Sequence, residues 1–336
     1  VLDSVTIARS RKHIEKYYNT AEIGKFPERL KPISKRPNLT ELNSAINYNQ
    51  IYEQLMLLSL CIYTPSNYIF PSKLEKYIDM SHHKGTNLTQ LGREQGIQHL
   101  MSINLLKRLE SSVYSFDLTL KRIYELIKET LETIDEYEKN GEATLDIYDV
   151  SESEFDMEDS NSDLFTVGKK VKINLGDMDY KTWRDELQKD ADTLELLLLM
   201  MEEITPEHDA KLQTLFSILD EKMTHPINKG NKKVLIFSAF SDTAEYLYEN
   251  VSTFMKDKYG LNTAVITGTI DGKTTIKGFQ ATFNNVLTCF SPVSKGKDLL
   301  IPNCTDEIDI LIATDCISEG QNLQDCDYLI NYDIHW

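Results

Sequence analysis

From residue 232 onward, short apolar runs rich in β-branched residues alternate with segments of helical periodicity, and this alternation limits the fold more tightly than any other feature. Lys233–Ser238 (KVLIFS) reads as a buried strand, Asp242–Lys258 as a helix with Tyr246, Leu247, Val251 and Phe254 inward, and Thr263–Thr267 (TAVIT) as the next strand. Ile308–Ala313 (IDILIA) and Tyr328–Tyr332 (YLINY) add two more. Strands alternating with helices build βαβ units, so 229–336 is expected to be an α/β domain: a parallel sheet flanked by helices. Between the second and third strands, Leu287–Thr305 reads as an inserted surface loop.

The middle of the chain has a different texture. Leu109, Val113, Phe116, Leu120, Ile123, Ile127, Leu131 and Ile134 follow one another at steps of three and four, the narrow stripe of one long helix packed on a partner. Asn140-Gly141 ends it. Trp183, Leu187, Ala191, Leu194, Leu198 and Met201 form a second stripe, suited to lie antiparallel to the first. A third helix is expected from Pro206 to Met223, with Leu212, Leu215, Phe216 and Leu219 inward. Residues 88–225 are thus read as a mainly α-helical module, with an acidic loop at 139–180 between its two long helices. On its own this module needs no chemistry, because such stripes commonly serve packing alone.

Charge follows the same division. The chain of 336 residues has 36 Lys+Arg and 53 Asp+Glu, a net −17 that argues against a uniformly basic nucleic-acid binder. From Glu125 to Phe165 alone, 15 acidic residues face two lysines, so −13 of the −17 sits in that stretch. Residues 1–36 run the other way, with nine basic residues against four acidic ones. A phosphate backbone would repel the acidic stretch, which is therefore placed away from any nucleic-acid track.

Several function classes are excluded early. No apolar run approaches the roughly 18 residues of a membrane span, so no membrane partner is expected. Five cysteines (Cys61, Cys289, Cys304, Cys316, Cys326) without a Cys-x-x-Cys pair make neither a disulfide framework nor a zinc ribbon, and point to reduced thiols in the cytoplasm. His82, His83 and His99 have no carboxylate or thiol at ligand spacing, so no metal site is expected. Arg9, Arg11 and Lys12 stand where a signal peptide needs an apolar stretch. The chain reads as a piece of something longer.

In open parallel sheets, ligands sit beyond the carboxyl ends of the strands. Ser238 follows the first strand, Thr267 and Gly268 the second, and Thr314 and Asp315 the third, with Glu319, Gly320, Gln321 and Asn322 shortly after. Small hydroxyls, glycines and one carboxylate–amide cluster let a phosphate or ribose approach backbone N–H groups closely. The same residues are also ordinary helix caps, so composition alone leaves both readings open. Gly272-Lys273-Thr274, expected to open a helix, resembles the tail of a phosphate-binding P-loop. That pattern needs a glycine five positions earlier, where Thr267 stands.

Taken together, KVLIFSAF (233–240), AVITG (264–268) and DILIATDCISEGQNLQDCDYLINYDIHW (309–336) resemble the second RecA-like domain of superfamily 2 helicases. Within that group the likeness is to the bacterial RapA/HepA-like branch related to Swi/Snf-type DNA translocases. Thr314 to Asp327 resembles its motif V, T-D-x-x-x-E-G-x-N-L-Q-x-A-D, at eight spaced positions, with Cys326 at the small-residue place. IARSRKHI…FPERLKPI (7–33) is similar to the basic exit from the first RecA-like domain, and LLKRLESS (105–112) to the helical entry into the second. Residues 1–87 are read accordingly as exit segment and connector.

The resemblance implies an ATP-dependent DNA helicase or translocase, with RNA also open as the track. In it Thr314, Asp315, Glu319, Gly320 and Asn322 would couple the nucleotide cleft to the track. Ser238, Thr267 and Gly268 would touch backbone phosphates, and Arg9, Arg11, Lys107 and Arg108 would contact phosphate or the neighbouring motor domain. ATP and magnesium would be held by the first motor domain, whose lysine loop and Asp-Glu pair are expected before Val1, while the arginine-bearing motif VI is expected after Trp336. This stretch alone is therefore expected to hydrolyse no ATP, because phosphoryl transfer depends on those groups. The alternative is a non-catalytic acidic helical interaction module fused to a nucleotide-binding-like domain.

Overall fold

The computed structural model describes residues 16–17, 28–42, 47–77, 90–141, 144–146, 172–268, 272–317 and 321–333. The chain divides into two units, Val1–Arg36 and Pro37–Trp336. In the first, the Lys16 ammonium stands 5.1 Å from the Tyr17 ring, and residues 28–36 run exposed without regular structure. Arg9, Arg11, His82, His83 and most of the acidic loop, 147–171, lie outside the described residues.

The second unit opens with helix α1 (Tyr48–Leu55), started by a capping box in which Asn47 and Gln50 exchange side-chain-to-backbone hydrogen bonds. Helix α2 (Gln90–Ser111) and helix α3 (Val113–Asn140) follow. The stripe expected to run along one helix is therefore split. Ser112 adopts extended backbone and its hydroxyl accepts the Ser115 N–H at 3.0 Å, ending α2 and capping α3 in one residue. Gly141, at φ +73°, closes α3 in the left-handed conformation that a glycine takes without strain. Two short antiparallel strands, β1 (Thr144–Asp146) and β2 (Lys172–Asn174), tie the ends of the acidic loop together before helix α4 (Tyr180–Glu202).

Helices α3 and α4 lie antiparallel. Arg184 near the start of α4 reaches Asp135 near the end of α3 at 2.9 Å, and Tyr137 meets Tyr180 edge to face. Phe116, Leu120, Ile123 and Ile127 of one helix and Trp183, Leu187 and Leu194 of the other are buried in a shared core. Residues 59–69 pack against α2 and α4 and are held by two buried carboxylates. Asp190 accepts the Ser59 N–H (2.7 Å), the Ser59 hydroxyl (2.9 Å) and the Cys61 N–H (3.2 Å), while Glu94 accepts the Ser66 N–H and hydroxyl. Burial raises the Asp190 carboxyl above its usual range, and the donors from Ser59 and Cys61 oppose that rise. Leu60 sits between the bonded groups at φ +50°, a left-handed conformation for a branched residue that this clamp imposes.

Helix α5 (Ala210–Thr224) then leads into the sheet domain, with strand β3 (Val234–Phe237), helix α6 (Ser241–Tyr259), strands β4 (Thr263–Ile266) and β5 (Lys273–Thr274), helices α7 (Phe283–Phe290), α8 (Pro292–Lys295) and α9 (Lys297–Leu300), and strands β6 (Ile310–Ala313) and β7 (Leu329–Asn331). The spatial order is β5-β4-β6-β3-β7, with β4, β6, β3 and β7 parallel and β5 antiparallel at one edge. Alternation within the strands supplies both faces. Val234, Ile236, Val265, Ile310 and Ile312 pack against α5 and α6, whereas Leu235, Ala264, Ile266, Leu311 and Ala313 pack against α7. No helix among the described residues is long and apolar enough to cross a membrane.

Three expectations are corrected here. The third helix starts at Ala210 rather than Pro206, because the Asp209 carboxylate caps it by accepting the N–H groups of Lys211 and Leu212. It also belongs by packing to the sheet, with Leu212, Leu215 and Leu219 in the sheet core, and not to the helical module. Leu287–Thr305 is a surface segment only in part: Leu287, Cys289 and Phe290 are fully buried at the end of α7 in the second helical layer, whereas Val293, Leu299 and Leu300 beyond them are exposed. Gly272-Lys273-Thr274 opens no helix but forms the edge strand β5.

Gly272 has a steric role in that edge. A Cβ at this position would stand 2.4 Å from the Ala281 carbonyl oxygen, a clash with backbone that no rotamer change relieves. Gly272→Ala should therefore lower stability by about 1–3 kcal/mol. Urea unfolding followed by circular dichroism checks this, and an unchanged midpoint would contradict the close approach.

Candidate functional site

The four parallel strands end at one edge of the sheet, and backbone hydrogen bonds lock those ends in line. The Ser238 N–H donates to Ala313 (3.0 Å), the Thr314 N–H to Ile266 (3.3 Å) and the Tyr332 N–H to Phe237 (2.8 Å). Thr267, Gly268, Thr314, Asp315, Ser238 and Asp333 are thereby brought to the same edge. Thr267 and Thr314 are buried, whereas Gly268 and Asp315 are exposed. Glu319 and Gly320 lie outside the described residues.

The segment 321–327 divides into residues that anchor it and residues that face outward. The Asp325 carboxylate accepts the N–H groups of Val293 (2.7 Å) and Ser294 (3.0 Å) at the start of α8, together with the Ser294 hydroxyl. Asp327 pairs at 2.6 Å with Lys222 of α5, whose side chain is fully buried, and accepts from the Asn228 amide at 2.8 Å. A buried cation without its anion is strongly destabilising, so this pair fixes the loop to α5. Leu323 packs into the core beneath α7. Asn322 and Gln324 are left exposed on this segment.

A buried polar hub joins this edge to the helical module. One oxygen of Asp333, Oδ2, accepts from the Ser111 hydroxyl (2.7 Å), the Ser238 hydroxyl (2.9 Å) and the Ala239 N–H (2.8 Å). Thr243, at the start of α6, shares hydrogen bonds with the hydroxyls of Ser111 (2.7 Å) and Ser112 (2.9 Å). The Lys211 ammonium donates to the carbonyls of Glu110 and Ser111 and lies 4.4 Å from the Tyr332 ring centre. Burial pulls the Lys211 ammonium below its ordinary range while the carboxylates of Asp333, Glu110 and Asp209 oppose the shift.

Two residues expected to meet phosphate are instead engaged inside the protein. The Ser238 hydroxyl, on a residue 3% exposed, points to Asp333. Arg108, 2% exposed, pairs with Asp242 at 2.7 Å and stacks 4.8 Å from the Phe240 ring, so it joins α2 to α6. Lys107 is half-buried on α2. Asp333, Ser111 and Thr243 were missed by sequence reasoning. No local pattern marks them, because each depends on partners distant in sequence.

Removing the Asp333 carboxylate leaves three donors without their acceptor, at about 1–3 kcal/mol for each buried group that stays unpaired. Asp333→Ala should therefore cost several times more stability than Asp333→Asn, which keeps an acceptor oxygen. Equal urea midpoints for the two variants would contradict the hub.

Residues 210–336 match the family model described as the helicase conserved C-terminal domain. No curated protein matches the chain. Among solved structures, the chain is similar to the helicase domain of Pyrococcus furiosus Hef at 15% identity and a TM-score of 0.34, over 85% of this chain and 47% of that one. The chain thus spans about half the length of that structure. The stretch that matches this family model holds the mixed α/β domain, a five-stranded, mostly parallel sheet flanked by helices, and a helical region precedes it.

Proposed function

We propose that this chain is part of an ATP-dependent DNA helicase or translocase of superfamily 2, of the RapA/HepA-like, Swi/Snf-related class, and that it contributes the second motor domain. The observation that carries the reading is the division of the helicase-like segment 314–327. Asp325, Asp327 and Leu323 anchor its second half, while Asp315 stands exposed just beyond the carboxyl end of β6, where α/β folds place their ligands, and Asn322 is exposed on the segment that follows. In the proposal, Asn322 with Glu319 and Gly320 lies toward the ribose side of the inter-domain cleft, and Thr314 and Asp315 link that cleft to the nucleic-acid track. Thr267 and Gly268 contact the phosphate backbone, which fixes register without reading sequence. Ser238 and Arg108 act behind this surface as brackets.

The residues present suit neutral hydrogen bonding to a ribose or to phosphate oxygens. Among the described residues no three His, Cys, Asp or Glu side chains gather to hold a metal ion. ATP phosphates and magnesium are accordingly assigned, within this proposal, to the first motor domain. When bound there, the metal would offset charge on the transferring phosphoryl group. The task of this domain is to close on that site and to carry the track forward as it reopens.

Steady-state ATP hydrolysis with and without duplex DNA tests the reading. The intact gene product should show DNA-stimulated turnover, and Asn322→Ala within it should reduce that turnover at least tenfold. The 336-residue chain alone should be inactive. Turnover by this chain alone would overturn the division of labour, and the absence of stimulated turnover in the intact protein would overturn the motor reading itself.

A further inference from the structure

Where the start of α3, the end of α4 and the outer face of α6 meet, the surface folds into an open groove of about 690 Å³. This lies within the range of roughly 300–1,000 Å³ typical of ligand-binding clefts. Val113, Leu198, Met201, Ile204 and Pro206 form much of its apolar lining. Tyr114 of α3 and Tyr246 of α6 stack across it with ring centres 5.1 Å apart and planes 7° from parallel. The groove is not sealed. Leu199 is 59% exposed, Tyr114 is 39% exposed, and Leu196 beside them on α4 is 45% exposed.

The rim is acidic. Glu195 and Glu202 of α4 and Glu249 of α6 line the groove, and none of the three has an ion-pair partner among the described residues. Lys121, the one cation in the lining, is engaged by Asp117 at 2.6 Å. Burial first, and then the carboxylates of Glu249, Asp242 and Glu245, raise the Tyr114 phenol above its ordinary range. An apolar floor with unneutralised carboxylates on two sides repels phosphate and favours a ligand that brings both apolar side chains and positive charge.

The spacing selects the form of that ligand. Glu195, Leu199 and Glu202 succeed one another at steps of four and three, so they share one face of α4. The two carboxylates stand about 10 Å apart along the axis, at 1.5 Å per residue. A partner helix carrying Lys or Arg seven residues apart, with leucine-like side chains between them, matches that repeat and lays its apolar stripe along the groove. We propose that this groove is a docking site for a basic amphipathic helix of a partner protein, separate from the sheet-edge site. The assignment does not rest on the motor reading.

The test uses the full 336-residue chain and a labelled 18-residue helical peptide with one leucine stripe flanked by lysines spaced seven apart. Fluorescence anisotropy should show saturable binding that weakens as salt rises, because the rim charges are exposed and screened over roughly 8 Å at physiological ionic strength. The triple variant Glu195→Lys, Glu202→Lys, Glu249→Lys and the single variant Leu199→Asp should each weaken binding at least tenfold. All four positions are exposed, and circular dichroism confirms that the variants stay folded. A control variant in the acidic loop, Asp156→Asn, Glu158→Gln, Asp159→Asn, should bind as the unaltered chain does. Loss of binding in the control but not in the groove variants, equal binding of a peptide with the same composition but no stripe, or no binding at all would overturn the proposal.

Discussion

Three donors converge on a single oxygen of Asp333, and the relation between the two halves of the second unit depends on that convergence. Ser238 and Ala239 fix the carboxylate to the end of β3, while Ser111 brings in the break between α2 and α3. Thr243 extends the contact to the first turn of α6 through both serines. A buried carboxylate oxygen is costly unless donors reach it, so the three donors to Oδ2 make the helix break and the sheet edge hold each other in place. Nearby, the buried Arg108 and the half-buried Lys211 repeat the pattern, each a cation joining a helix of one half to a group on the other.

This architecture separates holding from presenting. Along segment 321–327 and at the sheet edge, polar groups turn inward: Asp325 caps α8, Asp327 pairs with Lys222, and Ser238 serves Asp333. Among the described residues, Gly268 and the carboxylate of Asp315 remain outward at that edge, and the neutral amides of Asn322 and Gln324 are exposed on the segment that follows. Such a surface gives register and shape more than charge. Much of the acidity of the chain lies elsewhere, in the stretch from Glu125 to Phe165, part of which forms the exposed face of α3. The net charge therefore describes the helical hairpin and says little about the sheet edge.

The legible parts of the fold were those with short-range causes. The strand cores 234–237, 263–266 and 310–313 followed from β-branched runs, and α4 and α6 followed from their apolar periodicity, within one to three residues at their ends. The residue types and spacing of the motif-bearing segment are distinctive, and it falls within the stretch that matches the helicase C-terminal family model. Other features depended on partners distant in sequence. Nothing local in ESSVYS distinguishes a continuing helix from one that breaks at Ser112; the break is stabilised by Thr243 and Asp333, more than 100 positions away. Leu287–Thr305 looked like a loop because its glycine, prolines and lysines masked the buried face of α7. Arg108 looked like a surface cation because its partner Asp242 opens a helix in the other half.

In the proposed motor, the sheet edge is the surface that meets nucleotide and nucleic acid. Hydrogen–deuterium exchange on the intact gene product, with and without duplex DNA and a non-hydrolysable ATP analogue, measures this most directly. The prediction is new protection confined to peptides spanning 265–268, 314–316 and 318–324, with the α3–α4 pair unchanged. Protection that appears on α3 and α4 while the sheet edge stays unaltered would contradict it.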